Sequence, residues 1–178
     1  ITTQVNIERL TRLLETEPDV KDAPEVIEKY GDSFSPKREN WEPIRGDVEF
    51  EDVTFRYPDG DENVLEHFSL QIPFGSNIAI VGETGAGKST LVNLVPRFYD
   101  VTEGQVFVDG VDVREYSQYD LREKIGYVSQ KAILFKGTLA SNINYGEHAT
   151  EAVDEAGIVH ALEVAQGHDI LTKKEEGI

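Results

Sequence analysis

Apolar and polar positions along this chain change period from segment to segment. Ile7, Leu10, Leu13 and Leu14 recur at helical spacing, with Glu8 and Arg12 one turn apart on the polar side. The spacing predicts a short amphipathic helix over 1–15 that packs on another surface. Between Glu17 and Pro43 the pattern lapses into charge and prolines, which marks a linker. A short helix fits within it at Pro24–Tyr30, with the proline at an early helical position. From Gly46 the period shortens. Val48, Phe50, Val53 and Phe55 alternate in part, Pro58-Asp59-Gly60-Asp61 is a turn, and Leu65, Phe68, Leu70 and Ile72 follow over 64–72. These runs predict two antiparallel strands joined by the turn.

Residues 77–81 read as a short buried strand, and 88–98 as a helix with Leu91, Leu94 and Val95 on one face. Residues 105–108 and 125–128 read as further strands, with turns at Glu103-Gly104 and Asp109-Gly110. Over 150–166 a helical pattern turns Val153, Ile158, Leu162 and Ala165 inward, and Gly167 ends it. The order is hairpin, strand, loop, helix, strands, helices, so the expected class is α/β with an attached antiparallel β portion. The texture divides the chain into 1–45, a connecting helix and linker, and 46–178, the main domain.

Composition narrows the function classes. The 178 residues suffice for one domain with a core, and no apolar run reaches the ~20 residues of a membrane helix. Without cysteine there is no thiolate nucleophile or cysteine zinc site, and the 4 histidines are scattered without ligand spacing. A net charge of −17 repels nucleic acid phosphates, so no nucleic acid partner is expected. The same charge opposes any nucleotide unless the site supplies its own positive field.

One segment supplies such a field. Gly82-Glu83-Thr84-Gly85-Ala86-Gly87-Lys88-Ser89 matches G-x-x-x-x-G-K-[ST] in full, with a predicted strand before it and a predicted helix after it. Phosphates approach a backbone closely only where side chains are missing, hence Gly82, Gly85 and Gly87. The loop N–H groups turn inward, and the positive end of the following helix faces the anion. Lys88 is placed to bridge the β- and γ-phosphates, Ser89 to offer its hydroxyl to Mg²⁺, and Thr90 to reach the α-phosphate. The motif alone does not separate an ATPase from a GTPase or a small-molecule kinase.

The surroundings carry a resemblance. Phe55-Arg56-Tyr57-Pro58 precedes the loop. After it come Pro96-Arg97-Phe98-Tyr99-Asp100, Ile125-Gly126-Tyr127-Val128-Ser129-Gln130, and the run from Leu134 through Thr138 to Ile143. From Gly46 to about Ala165 the chain resembles the nucleotide-binding domain of ATP-binding cassette transporters of the exporter type. The resemblance implies a P-loop NTPase core with an antiparallel β subdomain, and ATP and Mg²⁺ as ligands. It implies that Tyr57 stacks on adenine and that 82–90 hold the phosphates. It implies that Gln130 reaches Mg²⁺ and the attacking water, and that 135–142 lie near the docking groove of the membrane domain. Arg97 and Tyr99 are expected to be structural. Ser129 stands where the family often has proline.

The implied partners are a second nucleotide-binding domain, identical or not, and the transmembrane domain of the same transporter, at the cytoplasmic face of the membrane. Residues 1–17 resemble the helix that connects the two domains. The chain starts at Ile1 and ends at Ile178, before the family's signature sequence, acidic strand, catalytic glutamate and switch histidine. Glu163, Glu175 and Glu176 follow no apolar strand and are not assigned the base role. The expectation is therefore a piece of a longer protein that binds ATP and turns over little of it alone. Two alternatives stay open: a half-site that binds without turnover in an asymmetric transporter, and an unrelated loop NTPase. Against the latter, nothing in the chain resembles the guanine-reading Asn-Lys-x-Asp motif.

Overall fold

The structure, a computed structural model, describes residues 2–131, 133–145 and 155–167. Two compact units are present, Ile1–Tyr127 and Val128–Ile178.

The first unit opens with α1 (Thr2–Glu15) and α2 (Pro24–Tyr30), the latter with proline in its first turn as the sequence predicts. On α1 the apolar Ile7, Leu10 and Leu14 are exposed. A four-stranded antiparallel sheet follows, in the order β2-β1-β3-β4, from β1 (Val48–Phe55), β2 (Leu65–Ile72), β3 (Glu103–Val108) and β4 (Val111–Asp112).

The incomplete alternation of β1 and β2 has a local cause. Asp52 and His67 take positive φ angles of 48° and 47°, and the register slips between Phe50↔Leu70, Val53↔Phe68 and Phe55↔Leu65. These bulges return Phe50, Val53 and Phe55 to the same buried face, although two residues separate the first pair. The irregularity is held by the His67 N–H donating to Thr54 Oγ1 at 3.2 Å, and by His67 Nδ1 against Asp52 Oδ1 at 2.9 Å.

Leu91 and Leu94 of α3 (Lys88–Leu94) pack on this face with Val106, Val108, Val113, Tyr116 and Leu121. Each such buried side chain contributes roughly 1.5–3 kcal/mol relative to exposure. The sheet side of the core thus fixes the helix that the phosphate loop opens into. Helix α3 is shorter than the 88–98 that the periodicity predicts. Arg97, at φ 53°, leaves helical geometry, and the Phe98 N–H turns back to the Asn93 carbonyl at 3.1 Å.

Tyr116 is buried at the sheet's end and donates to the Val108 carbonyl at 3.0 Å. Burial pushes its phenol up to about 12. A raised phenol contributes stability fully present below its ordinary value near 10 and lost as pH rises through about 12. Tyr116→Phe is expected to cost about 1 kcal/mol at neutral pH and to flatten the fall in stability between those pH values. Denaturant titrations across the alkaline range check both.

Two predicted strands are not formed. Residues 77–81 and 125–128 take no regular structure and pair with no strand among the described residues. Ile78, Ile80, Val81, Tyr127 and Val128 are exposed there, Val81 and Val128 at 91% and 95%. A continuous apolar run marks a strand covered on both faces, and such a strand needs neighbours along its edges. The described residues supply neighbours only to the antiparallel strands.

The second unit holds α5 (Leu139–Ile143) and α6 (Glu155–Val164). Thr138 caps α5 by accepting from the Ser141 N–H at 3.0 Å. Asn142 holds Phe135 through both backbone groups, at 2.7 Å and 3.0 Å, and the Phe135 and Tyr145 rings stack at 4.4 Å. On α6, Ile158 and Leu162 are buried as expected, whereas Ala165 lies beyond the last turn and is exposed. Val153 and residues 150–154 of the predicted helix lie outside the described residues.

Candidate functional site

The loop 82–87 follows the unpaired segment 77–81 and enters α3 at Lys88. Its turn is closed by the Ala86 N–H donating to the Glu83 carbonyl at 3.2 Å. Gly87, just before the helix, has φ 80°, and a Cβ there would lie 3.1–3.2 Å from Leu65 and Val64. The loop is therefore seated on the start of β2 at a point where only glycine fits. Gly82, Glu83, Thr84, Gly85 and Ala86 are exposed, as is Ser89 one residue into the helix. The first N–H groups of a helix have no intrahelical acceptors, so α3 presents donors and a positive dipole end at this loop.

Lys88 curls back over the loop. Its Nζ donates to the Gly82 carbonyl at 2.8 Å and the Glu83 carbonyl at 2.6 Å. The ammonium thus sits above the backbone cradle, held by neutral acceptors that bind a cation less strongly than phosphate oxygens do.

Tyr57, half-buried, lies on the segment after β1. Its hydroxyl shares a hydrogen bond of 2.8 Å with Thr90 Oγ1 on α3. Its ring is set edge-on by Phe55 at 4.9 Å and Tyr99 at 5.1 Å. The adenine candidate and the phosphate-loop helix are therefore joined through one hydroxyl pair. The sequence reading placed Thr90 toward the α-phosphate, but in the structure Thr90 is buried and its hydroxyl is engaged with Tyr57. The spacing of Tyr57 and Thr90, far apart in sequence, carries no local signal of this bond. Gln130 lies in the second unit, exposed, in a bend after an unpaired run.

Among the described residues, no group of three or more His, Asp or Glu side chains could hold a metal ion. A divalent cation at this loop would have to be held largely by phosphate oxygens, with the exposed Ser89 hydroxyl as a protein donor. That combination of hard oxygen ligands suits Mg²⁺.

Electrostatics elsewhere in the unit are structural. Asp109 stays below the usual carboxylate range: burial raises it, but N–H groups of Arg45, Asp47 and Gly46 outweigh that. Asp112, which is buried, is likewise held down against its burial, chiefly by Arg114 and then Gln105.

A family model described as ABC transporter matches residues 65–173. An ATP-dependent lipid A-core flippase of Cupriavidus metallidurans is 44% identical over 137 residues, 77% of this chain and 23% of that protein. The protein of the same name from Escherichia coli K12 is 42% identical over the same length and shares. The chain thus spans 23% of the length of these curated relatives. A solved structure titled as a bacterial Atm1-family ABC exporter with ATP bound superposes with a TM-score of 0.79 at 31% identity. That match covers 98% of this chain and 28% of the other.

Proposed function

Since the chain belongs to the ABC transporter family, we propose that it is the ATP-binding part of an exporter whose full-length form couples ATP binding and hydrolysis to transport. The observation that carries this reading is the exposed loop at 82–86, with Lys88 held over it by the Gly82 and Glu83 carbonyls. When ATP binds, Lys88 exchanges those carbonyls for phosphate oxygens. The exchange trades neutral acceptors for charged ones, about twice as strong per bond. The loop N–H groups and the head of α3 take the remaining oxygens. Ser89 would hold Mg²⁺, which neutralises charge developing on the phosphates.

Tyr57 supplies a flat face for adenine, and its bond to Thr90 fixes that face relative to the phosphate loop. Stacking tolerates base identity, so selectivity for ATP over GTP is modest. Tyr57→Ala is expected to weaken ATP binding by about 1–3 kcal/mol. Tyr57→Phe, which keeps the ring and loses the bond to Thr90, should weaken it by about 1 kcal/mol or less. Fluorescent-nucleotide displacement on both variants checks the order.

Gln130 is assigned, with the family, to the cation and the attacking water. The partners that follow are a second nucleotide-binding domain and the membrane domain of the same transporter, with this part on the cytoplasmic face. Residues 1–45 are then the connection from the membrane domain and 46–178 the first part of the nucleotide-binding domain.

Phosphate release by the full-length protein, with and without Mg²⁺, tests the reading. We expect Mg²⁺-dependent turnover that falls in Gln130→Ala with ATP affinity largely kept. ATP binding without turnover in the full-length wild type would favour the non-hydrolysing half-site instead.

A further inference from the structure

The linker after α1 is fastened to the first unit at a point that none of the roles above uses. Asp22, on the linker, accepts from the buried Arg97 Nη1 at 3.2 Å. The same carboxylate accepts from the Gln118 N–H at 3.1 Å and from Gln118 Nε2 at 2.9 Å. Arg97 Nη2 also donates to the neighbouring Lys21 carbonyl at 2.9 Å. Arg97 lies in the turn just after the phosphate-loop helix α3, in a positive-φ conformation. Its other bonds go to Asp100, at 2.7 Å and 3.1 Å. Gln118 is the first residue of α4 (Gln118–Glu123).

A single linker carboxylate therefore ties together the exit of one helix and the entry of another. The two helices are bonded again by Arg122 of α4, which donates to the carbonyls of Pro96 at 2.9 Å and Arg97 at 2.6 Å. The linker continues along α4. Arg38 reaches Tyr119 and Glu123, and Lys124 donates to the Glu42 carbonyl. Lys124 Nζ also lies 2.5 Å from the wholly buried Asp120 carboxylate, an ion pair outside hydrogen-bond geometry. The run that carries Gln130 follows α4 directly in the chain.

We propose that Asp22 is a positioning residue that sets the phosphate-loop helix and α4 according to where the linker lies. It rests on the reading that 82–90 form a nucleotide site. The physical argument is stiffness. Arg97 is nearly inaccessible and its Nε, Nη1 and Nη2 all donate to Asp22, Lys21 or Asp100, so the linker cannot shift at Asp22 without moving Arg97 or breaking charge-assisted bonds. A displacement of the linker at Asp22 is delivered just past the end of α3 opposite the phosphate loop.

The test is Asp22→Asn in the full-length transporter, which keeps the side-chain size and removes the charge. Amide exchange without nucleotide should rise at Gln118–Leu121 and at 97–98, with the β1–β3 ladder protected as before. In turnover, kcat should fall on the order of tenfold, as misplacement of reacting groups does, with KM for ATP within about twofold because the loop contacts remain. Unchanged exchange at Gln118 and residue 97 would overturn the proposal. So would unchanged kcat, or a loss of kcat and KM together with ladder protection, which would mark ordinary destabilisation. Failure of wild-type ATP binding would instead strike the nucleotide-site reading, while the nucleotide-free exchange result still judges the Asp22 link.

Discussion

Lys88→Ala is expected to weaken ATP·Mg binding by at least about a hundredfold while leaving the protein folded. The magnitude follows from what Lys88 does on the loop. Its ammonium makes two hydrogen bonds to backbone carbonyls, at 2.8 Å and 2.6 Å, and both can pass to phosphate oxygens. Hydrogen bonds to charged groups contribute about 1.5–3 kcal/mol each, and two of them amount to two or more decades in affinity. The loss falls in a chain of net charge −17, which opposes the nucleotide's charge. Stability should change little. The two carbonyls belong to exposed residues and can turn to water. Lys88→Arg should not restore binding in full, because a planar fork does not replace a compact ammonium over a narrow loop. Titration calorimetry for affinity and thermal melts for stability separate the two effects.

Gly104→Ala is expected to cost about 2–5 kcal/mol in stability. Gly104 has φ 82°, and a Cβ there would lie 2.3 Å and 2.5 Å from the carbonyl oxygens of Asp52 and Glu51. Those are backbone atoms of the bulge in β1, which cannot rotate away as a side chain would. Left-handed backbone alone costs an ordinary residue about 1–2 kcal/mol. Forcing the central strand apart adds about 1–3 kcal/mol. Beside a typical domain stability of about 5–15 kcal/mol, the sum is a large share. The expected result is a denaturant midpoint lowered by several kcal/mol equivalents, with weaker ATP binding only as a consequence of unfolding. A cost of less than about 1 kcal/mol would mean that β1 and β3 are not joined as described.

The same bulge shows which parts of the fold were legible in the sequence. Phe50, Val53 and Phe55 announced a strand, yet their spacing broke the alternation for a reason that only the positive-φ angles of Asp52 and His67 reveal. Proline at the head of α2 and the buried pair Ile158 and Leu162 on α6 followed their local signals. The runs at 77–81 and 125–128 did not form strands, because pattern reports what a segment is suited to and not whether neighbours are at hand. The phosphate loop was legible because its chemistry is local: each of Gly82, Gly85, Gly87, Lys88 and Ser89 is required by spacing within one turn. The bond between Tyr57 and Thr90, and that of Asp22 with Arg97 and Gln118, join residues distant in sequence. No periodicity records such pairs. They arise from packing, and in both cases they attach another segment to the phosphate-loop helix or its exit.

The measurement that bears most directly on the central claim is a calorimetric titration of the wild-type chain with ATP and Mg²⁺, its folded state verified by circular dichroism on the same sample. The account predicts saturable binding at one site, weakened by removal of Mg²⁺ and lost in Lys88→Ala. A folded chain that takes up no ATP, or that binds it equally with and without the Lys88 ammonium, would contradict it.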